Sequence, residues 1–361
     1  MNAKLRRGLA RAILIVLLLA SVELIAQLGY RVYKGTWYFR DRQRSARGLF
    51  QPHPYFAAAM TPGVSDERNG IRISHNSFRM RGPEFARPKP SGTRRIIANG
   101  GSTTYCTGVS DDETWEHFLQ RDLGIPWEVL NNGTPGGTSV EALLQTNLLF
   151  SDVQPDLALY YMGWNDAHVQ HVQGLRSDYS DYHGVWVMSL GQSGRELREP
   201  LALTYMLKRA AFHYFLPNMD GDVIIRSVQG DADRLTDRID PRALGLFERN
   251  LRLIAASGRA QGFPVVFIPQ VMNYEALTSD QPYGFLPFVR DRDLKTYMTA
   301  YNATLEKVAK EEGVGFLGEM LEEKFPMSEF LDQGHFTRAG NEHFARVVGA
   351  YLKKHPFSRA P

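Results

Sequence analysis

A serine follows two glycines in the stretch RRIIANGGSTTYCTG, residues 94–108. The short apolar run IIA predicts a buried strand, and Gly100 and Gly101 remove the side chains that would obstruct a sharp turn at its carboxyl end. Ser102 is therefore expected on the rim of a sheet, ahead of a helical pattern from Asp112, where unpaired backbone N–H groups favour negative charge. An oxyanion could be stabilised there, although a loop of small residues is the simpler interpretation of this stretch alone.

An acid and a histidine stand close together near the carboxyl terminus, in FLDQGHFTRAGN, residues 330–341. Asp332 and His335 are three residues apart on a loop that precedes the last predicted helix. A carboxylate and an imidazole at that spacing can reach the same small region. Taken alone, they are more simply a loop acid and a surface histidine.

Two further segments bring hydrogen-bond donors. The loop NNGTPGGTS, residues 131–139, contains Gly136 and precedes a helical pattern, and its N–H groups could cradle an anion. It lacks the lysine of a P-loop and the GxGxxG spacing, so binding of phosphate or a dinucleotide is the weaker interpretation. Asn165, in YMGWNDA, could point its amide toward the same rim, although Asn165 with Asp166 also fits a helix cap.

The elements that must position these residues alternate along the chain. Apolar strand patterns alternate with longer helical patterns from residue 95 to residue 354. Such alternation predicts a parallel sheet with helices on both faces, and ligands of such sheets bind at the carboxyl ends of the strands. The serine, the glycine loop and Asn165 each follow a predicted strand, so we expect them at one edge of the sheet.

Together the segments resemble the SGNH hydrolase superfamily, also called GDSL esterases and lipases. The matching blocks occur in the family's order: GGST at 100–103, the glycine loop at 131–139, GWND at 163–166 and DQGH at 332–335. The resemblance covers about residues 94–352. It implies an α/β fold, a three-layer sandwich with a five-stranded parallel sheet of flavodoxin-like type. One departure is Gly101, which stands where the GDS form of the motif has an aspartate, so any support from that aspartate is missing.

The resemblance also implies a role for each site residue. Ser102 would be the nucleophile, His335 the general base and Asp332 the residue that orients His335. The Ser102 N–H, the Gly136 N–H and the Asn165 side chain would form the oxyanion hole. The chemistry agrees, because a serine hydroxyl is a poor nucleophile until an imidazole with a fixed tautomer accepts its proton. No metal or organic cofactor is expected.

The amino terminus predicts a membrane anchor. Basic residues from Lys4 to Arg11 precede the apolar run 12–22, and apolar text continues past Glu23 to Tyr30. We expect one uncleaved helix in the inner membrane, a cytoplasmic start and a periplasmic catalytic domain. Glu23 counts against this, because an acid deep in a spanning helix costs roughly 2.5–3.5 kcal/mol. Arginines after the helix weaken the predicted orientation.

The predicted organisation has three parts: an anchor at 1–34, a juxtamembrane collar and linker at 35–93, and a hydrolase domain at 94–358 with an insertion at about 167–240. The 42 Lys and Arg nearly balance the 39 Asp and Glu, which argues against a nucleic-acid partner. A lone cysteine, Cys106, excludes an intramolecular disulfide and argues against structural zinc. Protein partners are not predicted. A metal site is conceivable but weakly supported at His168, His171 and His183.

Three functions fit the sequence. The first is a serine esterase that removes short acyl groups, such as acetyl, from a glycan or another small polar molecule. The second is an O-acyltransferase that acts on a cell-envelope glycan with the same triad, and the third is an inactive, membrane-tethered binding protein. Short acyl groups are favoured because the loops of the site are polar, and Trp186 could stack on a sugar. The apolar segment 201–216 could instead form a lid over a longer acyl chain.

Overall fold

The computed structural model describes residues 3–40, 48–51, 53, 55–56, 59–170, 172, 174–180, 201–215, 238–277 and 289–357. The helices are α1 (Ala3–Lys34), α2 (Ser102–Tyr105), α3 (Trp115–Leu123), α4 (Ser139–Leu148), α5 (Phe150–Val153), α6 (Trp164–Ala167), α7 (Ala202–Phe215), α8 (Pro241–Gln261), α9 (Leu294–Glu312) and α10 (Arg338–Lys354). The strands are β1 (Phe50–Gln51), β2 (Ala59–Met60), β3 (Ser65–Arg68), β4 (Ile71–Ser74), β5 (Arg94–Gly100), β6 (Trp127–Gly133), β7 (Leu157–Tyr161), β8 (Val265–Ile268) and β9 (Gly315–Phe316).

The central sheet has five parallel strands in the order β6-β5-β7-β8-β9. This order confirms the predicted flavodoxin-like sheet, and it places a topological switch point between β5 and β7, where such folds open a crevice for ligands. Gly100 pairs with Gly133 of β6 and with Tyr161 of β7, so the three strands end at one level. A Cβ on Gly100 would collide with the Tyr161 carbonyl oxygen, which explains why β5 ends in glycine.

Helices cover both faces of the sheet, so the predicted three layers are also confirmed. Ile97 and Tyr160 pack with α4, α8 and α9 on one face, whereas Ile96 and Leu159 pack with α3 and α10 on the other. Successive strand residues point to opposite faces, so a sheet buried on both sides needs continuous apolar strands. Each fully buried aliphatic side chain contributes about 1.5–3 kcal/mol.

The segment between α1 and β5 forms two small antiparallel pairs, β1 with β2 and β3 with β4. β3 and β4 form a hairpin within the predicted collar at 35–93. Arg81 makes an isolated antiparallel bridge with Asn131, which attaches this segment to the edge strand β6. The attachment brings Arg81 close to the loop that follows Ser102.

Among the described residues, one helix is long and apolar enough to cross a membrane: α1, over Leu5–Tyr33. The insertion is described only in part. His171, His183 and Trp186 lie outside the described residues. The part of 201–216 that is described, α7, packs along α1 and not as the separate lid that the sequence allowed. Local apolar patterning could not reveal this contact, because α1 and α7 are more than 150 residues apart in the sequence.

Candidate active site

Three side chains from two distant parts of the chain form a continuous hydrogen-bonded row. The Ser102 Oγ lies 2.8 Å from the His335 Nε2, and the His335 Nδ1 lies 2.7 Å from the Asp332 Oδ2. With the ring proton on Nδ1, His335 donates to the carboxylate and accepts from the serine hydroxyl. This is the arrangement that activates a serine, with the imidazole ready to take its proton.

The Asp332 carboxylate is held by its own loop. Its Oδ1 accepts hydrogen bonds from the backbone N–H groups of Gly334, at 2.9 Å, and His335, at 2.8 Å. Partial burial alone would raise the pKa of Asp332, but the hydrogen bond and charge of His335 and these two N–H donors outweigh it and lower the pKa to about 2. The group therefore stays ionised throughout the neutral range and can orient the imidazole.

Ser102 is the first residue of α2, directly after the turn at Gly101. Its N–H is one of the first-turn donors that a helix leaves without an intrahelical acceptor. The predicted helix start at Asp112 is therefore not the nearest one, since a 3₁₀ turn at Asp111–Glu113 and then α3 follow later. The local sequence STTY forms this extra turn because Cys106 closes it in the left-handed conformation, at φ 57°.

A buried arginine from the segment before β5 fastens this turn. The Arg81 guanidinium donates to the carbonyl oxygens of Tyr105, Cys106, at 2.7 Å, and Val109, at 2.6 Å, and it pairs with Asp111 at 3.0 Å. Only 4% of Arg81 is exposed. The Tyr105 and Cys106 carbonyls lie at the end of α2, where a helix leaves carbonyl groups without intrahelical donors, so these contacts hold the turn that carries the serine.

The glycine loop is built as a tight turn. The Gly137 N–H donates to the Thr134 carbonyl oxygen at 2.7 Å, with Pro135 and Gly136 between them and Gly136 at φ +75°. Proline followed by glycine at positive φ is the pattern of a type II turn, and because Pro135 has no N–H, the central donor of this turn is the Gly136 N–H. The Thr134 N–H donates to the Gly100 carbonyl oxygen at 2.9 Å, so the loop is tied to the end of β5.

Asn165 lies against the same turn. Its Nδ2 donates to the Gly137 carbonyl oxygen at 2.9 Å, which leaves the second N–H of the amide for another acceptor. A Cβ on Gly101 would lie well inside van der Waals contact with this Nδ2 and 3.3 Å from the Gly137 carbonyl oxygen. The departure at Gly101 thus has a physical correlate in this chain, because glycine makes room for the Asn165 amide beside the serine.

The residue after Asn165 supports both donor elements from behind. Asp166 is fully buried and accepts hydrogen bonds from the Ser139 N–H at 3.1 Å and from the Ser139 hydroxyl. Burial raises the pKa of Asp166 to about 7, even though these hydrogen bonds lower it. Since Ser139 begins α4 immediately after the glycine loop, Asp166 couples that loop to α6, which carries Asn165.

The loop of Asp332 and His335 rests on a tryptophan. A Cβ on Gly334 would come within 2.8 Å of the Trp164 ring, so the indole packs directly beneath the residue between the acid and the base. Trp164 is 6% exposed. It is therefore a packing residue that connects α6 to the histidine loop.

The structure thus brings together the five residues that the sequence singled out, although their roles remain a prediction. Sequence reasoning missed the structural roles of three residues: Arg81, Trp164 as a support for the loop, and Asp166.

His168, one of the histidines considered for a metal site, is buried, with its Nδ1 3.1 Å from the Trp164 carbonyl oxygen. In the part of the chain that the structure describes, no group of three or more His, Cys, Asp or Glu side chains could hold a metal ion.

Comparison with known proteins gives similarities at low identity. No protein-family model matches this chain, and no curated sequence matches it. Similar solved structures include a catalytic mutant of the acetylxylan esterase Axe2 from Geobacillus stearothermophilus (15% identity over 75% of this chain and 99% of that one, TM-score 0.41). A second is a G-D-S-L family protein from Desulfitobacterium hafniense (11% identity over 72% of this chain and 100% of that one, TM-score 0.41). A third is the lipase/acylhydrolase from Enterococcus faecalis (16% identity over 74% of this chain and 100% of that one, TM-score 0.43).

Proposed function

We propose that this protein is a membrane-anchored serine esterase of the SGNH type, with Ser102 as nucleophile. The observation that carries the proposal is the hydrogen-bonded row from Ser102 through His335 to Asp332, at 2.8 and 2.7 Å. The Ser102 end of this row lies beside the Asn165 amide and the turn of Gly136. A row of this kind next to convergent donors is the arrangement that acyl transfer requires.

The geometry supports a two-stage reaction. His335 takes the Ser102 hydroxyl proton as the oxygen attacks the ester carbonyl, and the Ser102 N–H, the Gly136 N–H and the Asn165 amide stabilise the resulting oxyanion. His335 then gives the proton to the leaving alcohol, and the acyl group stays on Ser102. Water attacks the acyl-enzyme with His335 again as base, and the carboxylic acid leaves. Transfer to an alcohol follows the same steps with the alcohol in place of water.

We infer short acyl groups as substrates. The apolar residues of the strands pack in the two core layers, whereas the loops at the site contain glycine, threonine, serine and asparagine. The best apolar candidate for an acyl-chain cover, α7, packs along α1. Acetyl on a glycan or on a similar polar molecule fits a polar rim.

A series of p-nitrophenyl esters tests the size of the acyl group. We expect kcat/KM to be highest with acetate or butyrate and to fall toward palmitate. An apolar acyl channel would add about 0.8 kcal/mol for each buried methylene, so a long-chain lipase would show a steep rise instead. A maximum at octanoate or longer would contradict the proposal. The same assay with an added sugar acceptor separates hydrolysis from transfer, since a transferase should turn over faster and form the acylated sugar.

We also propose that α1 is an uncleaved anchor in the inner membrane, with the catalytic domain in the periplasm. Support comes from the apolar span Leu5–Tyr33 and from the basic residues at its amino end, which favour a cytoplasmic amino terminus. The division into anchor, collar at 35–93 and hydrolase domain at 94–358 is part of the same proposal.

A further inference from the structure

The acidic residue inside the apolar helix has partners from the insertion. The Glu23 carboxylate accepts hydrogen bonds from the backbone N–H of Ala202, at 2.8 Å, and of Leu203, at 3.0 Å. It also accepts one from the Gln27 side chain, at 2.8 Å. Ala202 and Leu203 open α7, so Glu23 satisfies two of the donors that a helix start leaves unpaired and supplies the negative charge that this end favours.

Helix α7 follows α1 from that point in the same direction. Ala202 lies by Glu23, and further along both helices the Met206 side chain lies 3.6 Å from the Cβ position of Gly29. The Tyr205 ring packs edge-on against Tyr30 at 5.6 Å. Within α7, the start is therefore the part that lies farthest from the carboxyl end of α1, which leads to the rest of the chain.

The sequence of α1 sets the depth of this contact. Arg11 and Arg31 are twenty residues apart, which corresponds to about 30 Å of helix and to the thickness of a bilayer core. Glu23 lies eight residues before Arg31, about 12 Å below the outer boundary. Aromatic residues of the kind that mark a membrane interface, including Trp37, follow just beyond it.

The large exposed side chains at the start of α7 are apolar. Leu207 is 60% exposed and Leu201, directly before the helix, is 43% exposed; on α1, Ile25 is 68% exposed. The first charged residues of α7 are Lys208 and Arg209, about 9 Å farther along the helix axis from Ala202, near the level of Arg31. The order of apolar and charged residues in α7 thus matches the depth that the Glu23 contact requires.

We propose that α7 is embedded among the lipid acyl chains of the outer leaflet, held there by Glu23. The inference rests on the proposed anchoring by α1. A backbone in lipid must satisfy its hydrogen bonds internally, and the start of α7 does so through the carboxylate. An acid within a spanning segment is expected to have a specific partner, and α7 is that partner. Two helices, α1 and α7, then hold the enzyme at the bilayer, and α7 belongs to the insertion that follows α6 in the sequence.

Depth-dependent fluorescence quenching in the full-length protein tests this. Leu207→Cys is labelled with an environment-sensitive dye and reconstituted into phosphatidylcholine vesicles that carry doxyl groups on their acyl chains. Ile25→Cys, on α1, is the matched control in lipid, and Lys354→Cys, on the exposed end of α10, is the matched control in water. The wild type, whose single cysteine, Cys106, is buried, is treated with the same dye to measure background labelling.

We expect the dye at residue 207 to be quenched as strongly as the dye at residue 25, and the dye at residue 354 to be unaffected. Glu23→Leu should reduce quenching at 207 and leave quenching at 25 unchanged, whereas Glu23→Gln, which keeps one acceptor oxygen, should have a smaller effect. A water-like, unquenched signal from the dye at 207 would overturn the proposal. A signal shielded from water but not quenched would also overturn it, because protein and not lipid would then cover α7. Unchanged quenching in Glu23→Leu would refute the role of Glu23. Esterase turnover in the same vesicles is read separately, so an inactive enzyme with quenched 207 would refute only the proposed function.

Discussion

Replacing His335 with alanine is expected to lower kcat for p-nitrophenyl acetate by a factor on the order of 10⁶, to the limit of detection. His335 is the one base that contacts Ser102 among the described residues, at 2.8 Å, so its loss leaves the hydroxyl protonated. Steady-state kinetics measure the effect, and circular dichroism checks that the fold is intact. The fold should survive because His335 lies on a partly exposed loop.

His343→Ala is the matched control for this variant. His343 is also near the carboxyl terminus and also contacts acids, with its Nδ1 2.8 Å from Glu329 and its Nε2 3.2 Å from Glu323, but it lies on α10. We expect it to keep wild-type kcat. A loss of less than about 100-fold in a folded His335→Ala would contradict the role of His335, since general base catalysis alone contributes at least that much.

Replacing Asp332 with asparagine is expected to lower kcat by a factor on the order of 10⁴ with little change in KM. The carboxylate holds the proton of His335 on Nδ1, at 2.7 Å, and an amide in its place can donate to Nδ1. The imidazole would then carry its proton on Nε2 and could not accept one from Ser102. KM should change little because Asp332 contacts the histidine and its own loop rather than the substrate.

A pH series sharpens this second test. Because the pKa of Asp332 is lowered to about 2, the wild-type rate should show no titration of this carboxyl between pH 4 and pH 9. A loss in Asp332→Asn should therefore be present at every pH in that range, because the carboxylate that it removes is ionised throughout. Asp122→Asn, a surface acid paired with Arg121, serves as the control and should behave as the wild type. Wild-type kcat in Asp332→Asn would show that another group orients His335.

Much of the fold and the placement of the site could be predicted because strands and site residues follow simple rules. Apolar runs alternate with amphipathic helices, and carboxyl ends of parallel strands meet at one edge, so Ser102, the Gly136 loop and Asn165 had to lie near each other. Asp332 and His335 needed the resemblance as well, since no strand precedes them directly.

The supports of the site could not be predicted in the same way. Arg81 acts through carbonyl oxygens more than twenty residues later, and backbone acceptors leave no mark in a sequence. Asp166 was visible beside Asn165, but as a helix cap, because its partner Ser139 belongs to another element. Glu23 was seen only as a cost to membrane insertion, since the helix start that it caps lies in the insertion.

Active-site labelling with a fluorophosphonate, followed by mass spectrometry of the labelled peptide, tests the central claim most directly. The reagent phosphonylates a serine whose proton is taken by a neighbouring base, here the pair at 2.8 Å. We predict one adduct, on Ser102, in the wild type, and none in folded Ser102→Ala or His335→Ala. An adduct on another residue, or labelling that persists in Ser102→Ala, would contradict the assignment of Ser102 as the nucleophile.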